Sequence, residues 1–531
     1  MQRWNGWGDE NIKIDLPPQA IEFLINSIGE GKVRQDYPLE KLIARMPQPR
    51  LTPHPLISFD AKLRLDHAHG QSLPDCIGLR GGTLPRFPDG VAQPTDIQEV
   101  QQLLKLSAEQ DIIVIPYGGG TSVVGQLSVP AADRPVLSLS LERLNRLIRI
   151  ESDNRLAVFE AGIRGPQIEQ QLNAGGFTLG HFPQSFEYSS LGGWVATRSS
   201  GQQSAHYGRI EDLFAGGEVL TPRGSLIFPP FPASAAGPDL RQIMLGSEGK
   251  MGVLTNVIVR ISPLPEKDDV HGIFFPSWEQ GRQAIHTIAG SDIAISMVRM
   301  SNPAETKTNL ALAGHESQMA LLNRYLGIRG MPDTDACMAL IGFTGSRRST
   351  KAARRAALSI VRRHKGVCIG KPMGRAWQKR RFRAAYLRNT LWDLGYAVDT
   401  LETAVTWDNV TPVMQTIEKA IKEASNAYNQ SVHVFSHLSH VYPSGSSIYT
   451  TFVFRLSETP DLTLEYWQHL KQAASRAVVS AGGTISHQHG VGTDHRKHLA
   501  AEKGEIGVAV LQTIFDHLDP DRRMNPDKLL P

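Results

Sequence analysis

The sequence predicts an α+β protein: a ligand-binding unit over about residues 91–265 and a second α+β unit from about 266 to 485, flanked by segments 1–90 and 486–531. Three observations carry this. Strand and helix patterns alternate around Gly-rich turns as far as "MGVLTNVIVRISPLPE". Pro263 and Pro265 then punctuate the chain. Beyond them come a long helix-rich stretch, a strand pair and a cluster of histidines.

Taken in order, residues 1–90 are rich in "LPP", "MPQPRLTPHP" and "SLPD" turns and read as an irregular segment wrapping another unit. In "AQPTDIQEVQQLLKLSAEQDIIVIP", Thr95 and Gln98 form a capping box. Ile97, Val100, Leu103 and Leu104 share one helical face before a strand begins. "RLAVFEAGIRGPQIEQQLNAGGFTLG" repeats the theme, a strand leading into a helix with Pro166 in its first turn and Gly175–Gly176 at its end. The second unit opens with "HGIFFPSWEQGRQAIHTIAG", stays helix-rich to about residue 430, then offers "SVHVFSHLSHVYPSGSSIYTTFVF" as paired strands and "AGGTISHQHGVGTDHRKHL" near its close. No internal repeat or low-complexity tract interrupts it.

With 531 residues, 41% hydrophobic, 20% charged and a net charge of +4, the composition is that of an ordinary soluble globular protein and gives no reason to expect nucleic acid. The basic run Gly345 to Gly366 reads as the solvated face of one helix, with an anionic membrane surface or phosphorylated ligand as the second reading. Three widely spaced cysteines, Cys76, Cys337 and Cys368, exclude a disulfide scaffold and a Cys zinc site and fit a reducing compartment. "MQRWNGWGDENIKIDL" lacks the basic start and apolar core of a signal peptide, and no apolar run reaches the ~20 residues of a membrane span. The expectation is a cytoplasmic protein, soluble or lying on a membrane face.

"PYGGGTSVVGQ" follows the strand-like "DIIVI". Gly118, Gly119 and Gly120 remove every Cβ, so the backbone can reach positive φ and bring N–H groups to a phosphate; a tight turn is the alternative. It is neither of two familiar phosphate loops. Gln126 and Leu127 stand where a P-loop needs Lys and Ser or Thr, and Val123 stands where a dinucleotide fingerprint needs Gly.

Three more stretches, "QSFEYSSLGGWVATRSSG", "YGRIEDLFAGGEVLTPRG" and "GSEGKMGVLT", together with "PYGGGTS", resemble the FAD-binding domain of the vanillyl-alcohol oxidase and p-cresol methylhydroxylase flavoproteins. Within that family, "RWNGWGDE", "RSSGQQSAHYGRIEDL", "LETAVTWDNV", "SHVYPSGSSIYTTFVF" and "SHQHGVGTDHRKHL" resemble the alkylglycerone-phosphate synthases. The likeness runs from residue 3 almost to the end. It implies a two-subdomain FAD-binding domain with an α+β cap over the flavin.

Carried over residue by residue, the resemblance assigns to FAD Pro116, Tyr117, Gly118, Gly119, Gly120, Thr121 and Ser122; Gln184, Ser185, Phe186, Glu187, Tyr188, Ser189 and Ser190; Thr197, Arg198, Ser199 and Ser200; and Glu248, Gly249, Lys250, Met251, Gly252, Val253 and Leu254. Gly, Ser and Thr suit the task, offering N–H and hydroxyl donors without bulk. Family members with covalent flavin often carry a His in or beside the Gly-rich loop. Gly120, Thr121 and Ser122 offer none, so noncovalent FAD is expected.

For the chemistry, the resemblance points to Tyr449, His487, His489 and Arg299 as catalytic and to Arg388 as substrate-binding. His487 and His489 lie two apart on a strand-like segment, which would turn them to one side, and imidazole exchanges protons near neutral pH. Arg388 suits a phosphate or carboxylate through paired hydrogen bonds. The synthases have three consecutive histidines where this chain has His487, Gln488 and His489, and the middle residue of a strand should point away from its neighbours. A metal site from His487, His489, His495 and His498 competes, without a carboxylate or Cys at ligand spacing to support it.

The implied reaction exchanges the acyl group of an acyl dihydroxyacetone phosphate for a fatty alcohol with no net redox change. Residues Trp377 to Trp392 are then expected to lie against the membrane that delivers the lipids, and the assembly to be a homodimer. The alternative is an FAD-dependent 2-hydroxy acid dehydrogenase, which needs the same Arg and His groups. A nonenzymatic FAD-binding protein is disfavoured by the concentration of His, Tyr and Arg in the second half.

Overall fold

A computed structural model describes residues 2–313, 316–332 and 334–531. Two small sheets come first. In one, the strands run in the order Ile57–Ser58, Gly90–Ala92, Val136–Ser140, Ile113–Tyr117, parallel except for the first pair. The other is antiparallel, ordered Leu147–Glu151, Leu156–Glu160, Val253–Arg260, Phe214–Thr221, Gly224–Phe228. Both contribute to one apolar core that includes Val114, Leu137, Phe159, Val219 and Val257.

The second half holds a large antiparallel sheet, ordered Val367–Gly370, Lys267–Phe275, Cys337–Gly345, Met297–Ser301, Val432–Leu438, Gly445–Arg455, Tyr396–Thr406. Alternate residues sort to opposite faces. Leu401, Ile448, Phe452, Phe454 and Val434 pack under helices Val410–Asn426 and Pro460–Ser480, whose Val413, Ile417, Ile421, Trp467 and Leu470 complete that core. The other face turns toward the first two sheets.

The N-terminal segment departs from the irregular chain expected. It forms helices Pro18–Ile28, Leu39–Ala44, Ala61–Asp66 and Leu73–Gly81. Its prolines open helices rather than break them: Pro occupies the first turn of Pro18–Ile28 and of Leu73–Gly81, where the missing N–H has no intrahelical partner anyway. Leu24 and Ile28 pack on Tyr396 and Val453 of the second half, and Leu42, Leu65 and Leu79 pack with Ile113 and Ile115 of the first.

Helix Ile97–Glu109 starts differently from the expected box. Asp96, not Thr95, is the cap, accepting from the Glu99 N–H at 2.8 Å, and the Glu99 carboxylate reaches back to the Thr95 N–H at 2.6 Å. Two carboxylates one position later displace a neutral pair as acceptors. The basic run forms helix Arg347–Arg363, which buries Thr350, Ala353, Ala357, Ile360 and Val361 and leaves its arginines largely in solvent.

Candidate active site

A cavity of about 490 Å³ lies between the loops of the first half and the free face of the large sheet. Its loop wall is made by Pro116, Gly118, Gly119, Gly120, Thr121 and Ser122, by Gln184, Ser185, Ser189 and Ser190, by Thr197, Ser199 and Ser200, and by Glu248, Gly249, Gly252 and Leu254. Gly119 does its work by close approach, not by its φ. Of the three consecutive glycines only Gly120 has positive φ, at 70°. A Cβ on Gly119 would stand inside the Tyr188 carbonyl, so two loops meet where no side chain fits.

Eight of the residues assigned to FAD do not line the cavity, for local reasons. Tyr117 turns its hydroxyl to the Asp66 carbonyl at 3.0 Å, and Phe186 stacks on Phe382. Tyr188 bonds Tyr386 through their hydroxyls at 2.8 Å. Arg198, a helix end at φ 53°, faces Glu211. Met251 and Val253 belong to the core, Lys250 lines a small cavity near the C-terminus, and Glu187 is half-buried near Arg383. Contiguous motif stretches alternate between ligand and core, and only part of each can face a ligand.

The cradle fits an FAD. Ser200 Oγ and Gln202 Oε1 are buried on the cavity wall without a partner, and an unpaired buried polar atom is costly unless a ligand satisfies it. The seam of glycines leaves room for a pyrophosphate beside backbone N–H groups.

The opposite wall is read off the sheet's period of two. Val398, Thr400 and Glu402 pair with Val453, Thr451 and Tyr449, which pair in turn with His433, Phe435 and His437, and all nine line the cavity. Glu402, Tyr449 and His437 thus form one row across three strands. The Tyr449 ring stacks on His437 at 4.9 Å and meets His489 edge-on at 5.9 Å. Its phenol is held above its ordinary value by burial and by the neighbouring Glu402.

Below that row, Arg299 donates to Glu305 at 2.7 Å, and His437 Nδ1 lies 3.0 Å from the same carboxylate oxygen. Burial opposes the charge on Glu305, but His437 and Arg299 hold its carboxyl well below the usual range. Burial and then Arg299 lower His437, while Glu305 pulls it the other way. Arg388, half-buried on helix Leu387–Asp393, is anchored by one donor to the Gln71 carbonyl at 2.7 Å and lines the cavity. It is no solvated surface arginine.

The histidine segment corrects the sequence reading. Residues 484–495 form no strand, and the three side chains part company. His489 and Gln488 line the cavity, whereas His487 does not. His487 Nε2 lies 3.0 Å from Arg209 Nη1 and 2.7 Å from the Tyr442 hydroxyl, with its ring 4.9 Å from that of His440. Burial, then Lys471, brings His489 down to about 4. The loop is tied to the cradle by Glu248, whose Oε1 accepts from Val491 N–H at 2.5 Å and from Gln126 Nε2 at 3.0 Å, and whose Oε2 accepts from Gly492 N–H at 2.9 Å. Glu248, assigned to FAD from its motif, therefore spends its carboxylate on holding the His489 loop.

Trp392 is likewise not at a membrane-facing surface: it is buried with Leu73 and Ile77 in the core of the second half. One end of the cavity is apolar, made by Leu16, Ala20, Phe23 and Leu24 of the N-terminal segment with Leu391 and Val453.

The model of FAD linked oxidases, C-terminal domain, matches residues 264–529, and the FAD binding domain model matches residues 88–228. The alkyldihydroxyacetonephosphate synthase of Dictyostelium discoideum is 30% identical, over 89% of this chain and 78% of its own. That of Caenorhabditis elegans is 31% identical, over 87% of this chain and 80% of its own. This chain belongs to the alkyldihydroxyacetonephosphate synthase family of FAD-linked oxidases.

A solved alkyldihydroxyacetonephosphate synthase structure superposes with a TM-score of 0.85 at 27% identity, covering 99% of both chains. p-Cresol methylhydroxylase shares the fold, with a TM-score of 0.70 at 14% identity over 89% of this chain and 93% of that one. The mitochondrial D-lactate dehydrogenase of Arabidopsis thaliana is more distant, 25% identical over 84% of this chain and 74% of its own. FAD is the cofactor of the family, and the α+β fold with its FAD-binding domain is the one the sequence predicted.

Sequence reasoning left Glu402, Glu305, His437 and Gln126 without roles. Alternation in "LETAVTW" and "HVFSHLSH" would have put Glu402 and His437 on polar strand faces. The Glu248–Gln126 tie spans 122 residues and had no local signal.

Proposed function

We propose that this chain is an FAD-dependent alkylglycerone-phosphate synthase, exchanging the acyl group of an acyl dihydroxyacetone phosphate for a fatty alcohol. One observation carries the reading: an apolar arm formed by Leu16, Ala20, Phe23 and Leu24 opens into the same cavity as Arg388, Arg299 and Tyr449. A phosphate head with a long chain matches that combination, while a small 2-hydroxy acid would leave the apolar arm unfilled.

FAD would be held noncovalently along the glycine loops, where it would supply an electrophilic ring. Arg388, steadied by the Gln71 carbonyl, keeps its remaining donors for the phosphate. Arg299 is half-neutralised by Glu305 and fixes the sheet row beneath the substrate. Tyr449 and His489 move the proton next to the substrate carbonyl. The division of labour follows the chain: residues 91–265 bind FAD, residues 266–485 cap it, and residues 486–531 close the site.

The direct test is anaerobic incubation of the holoenzyme with palmitoyl dihydroxyacetone phosphate and hexadecanol, and separately with D-lactate. Ether product formed without an electron acceptor supports the synthase; lasting flavin bleaching with lactate and no ether product overturns it. Flavin released on acid precipitation supports noncovalent binding. Peripheral membrane contact, centred on half-buried Trp377 with exposed Arg375, Lys379 and Arg380, and a homodimeric assembly belong to the same proposal. Vesicle flotation and light scattering test them. Among the described residues no helix is long and apolar enough to cross a membrane.

A further inference from the structure

A second cavity, of about 120 Å³, lies beside the C-terminal segment and shares no lining residue with the first. Four cations line it: Lys250, Arg496, Arg522 and Lys528. Arg522 is spent on Asp516, its Nε and Nη2 each donating to a carboxylate oxygen at 3.0 Å. The other three have no carboxylate partner among the described residues. Arg496 Nη1 donates to the Asp527 carbonyl at 3.0 Å, and Lys528, 1% exposed, reaches only the Pro526 carbonyl at 3.2 Å. An ammonium carries three donors, so two on this buried lysine are left over, and a buried charge without a partner is costly. Burial brings Lys528 down to about 8, with Lys250 and Arg496 adding to it and Asp527 opposing. Asp519, 3% exposed, lines the same cavity; its Oδ2 accepts from the Met524 N–H at 2.6 Å and its Oδ1 is buried without a partner.

We propose that this cavity binds a phosphate-sized oxyanion, either hydrogen phosphate or the phosphate head of a small phosphomonoester, through Lys250, Lys528 and Arg496. Asp519 Oδ1 sets the selectivity. A carboxylate oxygen only accepts, so it favours an anion that keeps a proton, as hydrogen phosphate does and sulfate does not. The site also gives a role to Lys250, which the motif places next to the flavin cradle but which does not line the first cavity.

The bound anion would brace the cradle from behind. Met524 and Pro526 of the cavity wall flank Asn525, whose N–H donates to the Val114 carbonyl at 2.9 Å. The Asn525 side-chain amide donates to the Glu248 carbonyl at 2.7 Å and to the Gln126 carbonyl at 3.1 Å. Leu529, next to Lys528, donates its N–H to the Gly492 carbonyl at 3.2 Å. The segment thus joins the strand that feeds the glycine loop, the Glu248 turn and the loop that carries His489. It does so with φ of 39°, 61° and 64° at Asn525, Asp527 and Leu529, a backbone that residues with a Cβ hold only at a cost. An anion tying Lys528 to Lys250 offsets that cost and fixes all three loops together.

The test is calorimetric titration of the holoenzyme with sodium phosphate, at an ionic strength fixed with chloride. Saturable binding is expected. Lys528→Met should weaken it by roughly tenfold or more, the scale of one hydrogen bond to a charged group, and Lys250→Met, at a half-buried position, takes its place if Lys528→Met does not fold. Because the first cavity also offers an arginine to phosphate, Arg388→Lys is titrated alongside and should keep the binding. No saturable binding in the parent protein, or binding lost in Arg388→Lys and kept in the lysine variants, overturns the proposal. Sulfate should bind roughly tenfold more weakly than phosphate and gain on it in Asp519→Asn; equal binding of the two by the parent protein overturns the role of Asp519. Glycerol 3-phosphate separates the sources: competition with phosphate marks a phosphomonoester head, and its exclusion marks free phosphate. Phosphate should also slow hydrogen exchange across residues 486–493 and 523–530 in the parent protein but not in Lys528→Met, and exchange that ignores bound phosphate overturns the bracing of the cradle.

Discussion

Gln488 Nε2 donates to Glu402 Oε1 at 2.8 Å, joining the C-terminal loop to the edge strand Tyr396–Thr406 at the wall of the cavity. The synthases the sequence resembles carry His at this position. An amide keeps one donor for the carboxyl but takes no proton itself. In the proposed reaction, proton transfer on this side of the site falls to Tyr449 and His489, which both line the cavity.

Because the folded carboxyl of Glu402 titrates near 8, above its unfolded value, the folded protein binds the extra proton more tightly. This favours folding at low pH. The benefit is lost as pH rises from about 4.3, where the unfolded carboxyl titrates, through about 8. Glu402→Gln should therefore gain thermal stability relative to the parent protein progressively across that window. Paired melting curves at several pH values check it; a constant difference would contradict it.

Gly119→Ala should empty the flavin site, because its methyl group meets the Tyr188 carbonyl and forces apart the two loops that form the cradle. Gly193→Ala, whose Cβ would meet only Ser190 Oγ at 3.1 Å, should lose much less. Flavin absorbance per polypeptide after gel filtration measures both, and equal flavin content would refute the close-approach argument.

Tyr449→Phe and His489→Ala should each keep flavin and fold yet lose roughly 10²-fold or more in turnover, the scale of one acid–base group. Tyr449→Phe with full turnover would return that ring to a packing role against His437.

Arg388→Lys should raise the substrate concentration needed for half-maximal rate while leaving the flavin in place. A lysine keeps the charge, but a single ammonium cannot serve both the Gln71 carbonyl and a phosphate with a planar fork. Initial-rate kinetics against substrate concentration decide it.

Glu248→Ala should strip the acceptor from two buried backbone N–H groups, Val491 and Gly492, and from the Gln126 amide. At 1–3 kcal/mol for each unsatisfied buried group, a loss of about 3 kcal/mol or more is expected. The loop carrying His489 should loosen first. Hydrogen exchange across residues 486–493 is the measurement, and unchanged protection there would contradict the role.

The sequence by itself determined the α+β class, the helix opening at Pro166, the start of a helix near Thr95 though not its Asp96 cap, and the solvated face of Arg347–Arg363, because periodicity is a local property. Through family motifs it also marked the glycine loops and named Tyr449, His489, Arg299 and Arg388, all of which line one cavity. Only the tertiary structure decided which way each of those residues faces. A strand's period of two was wrongly extended over residues 487–489, where the backbone is irregular and Glu248, far away in the chain, pins the loop. That contact placed Gln488 in the cavity and His487 behind it, reversing the order that alternation implies. Glu402 drew its partners from Gln488 and Arg209, 86 residues later and on a distant loop, and its proton affinity from burial, which no stretch of sequence specifies. Long-range packing sets burial and desolvation, and these decide which of several legible polar residues can hold a proton.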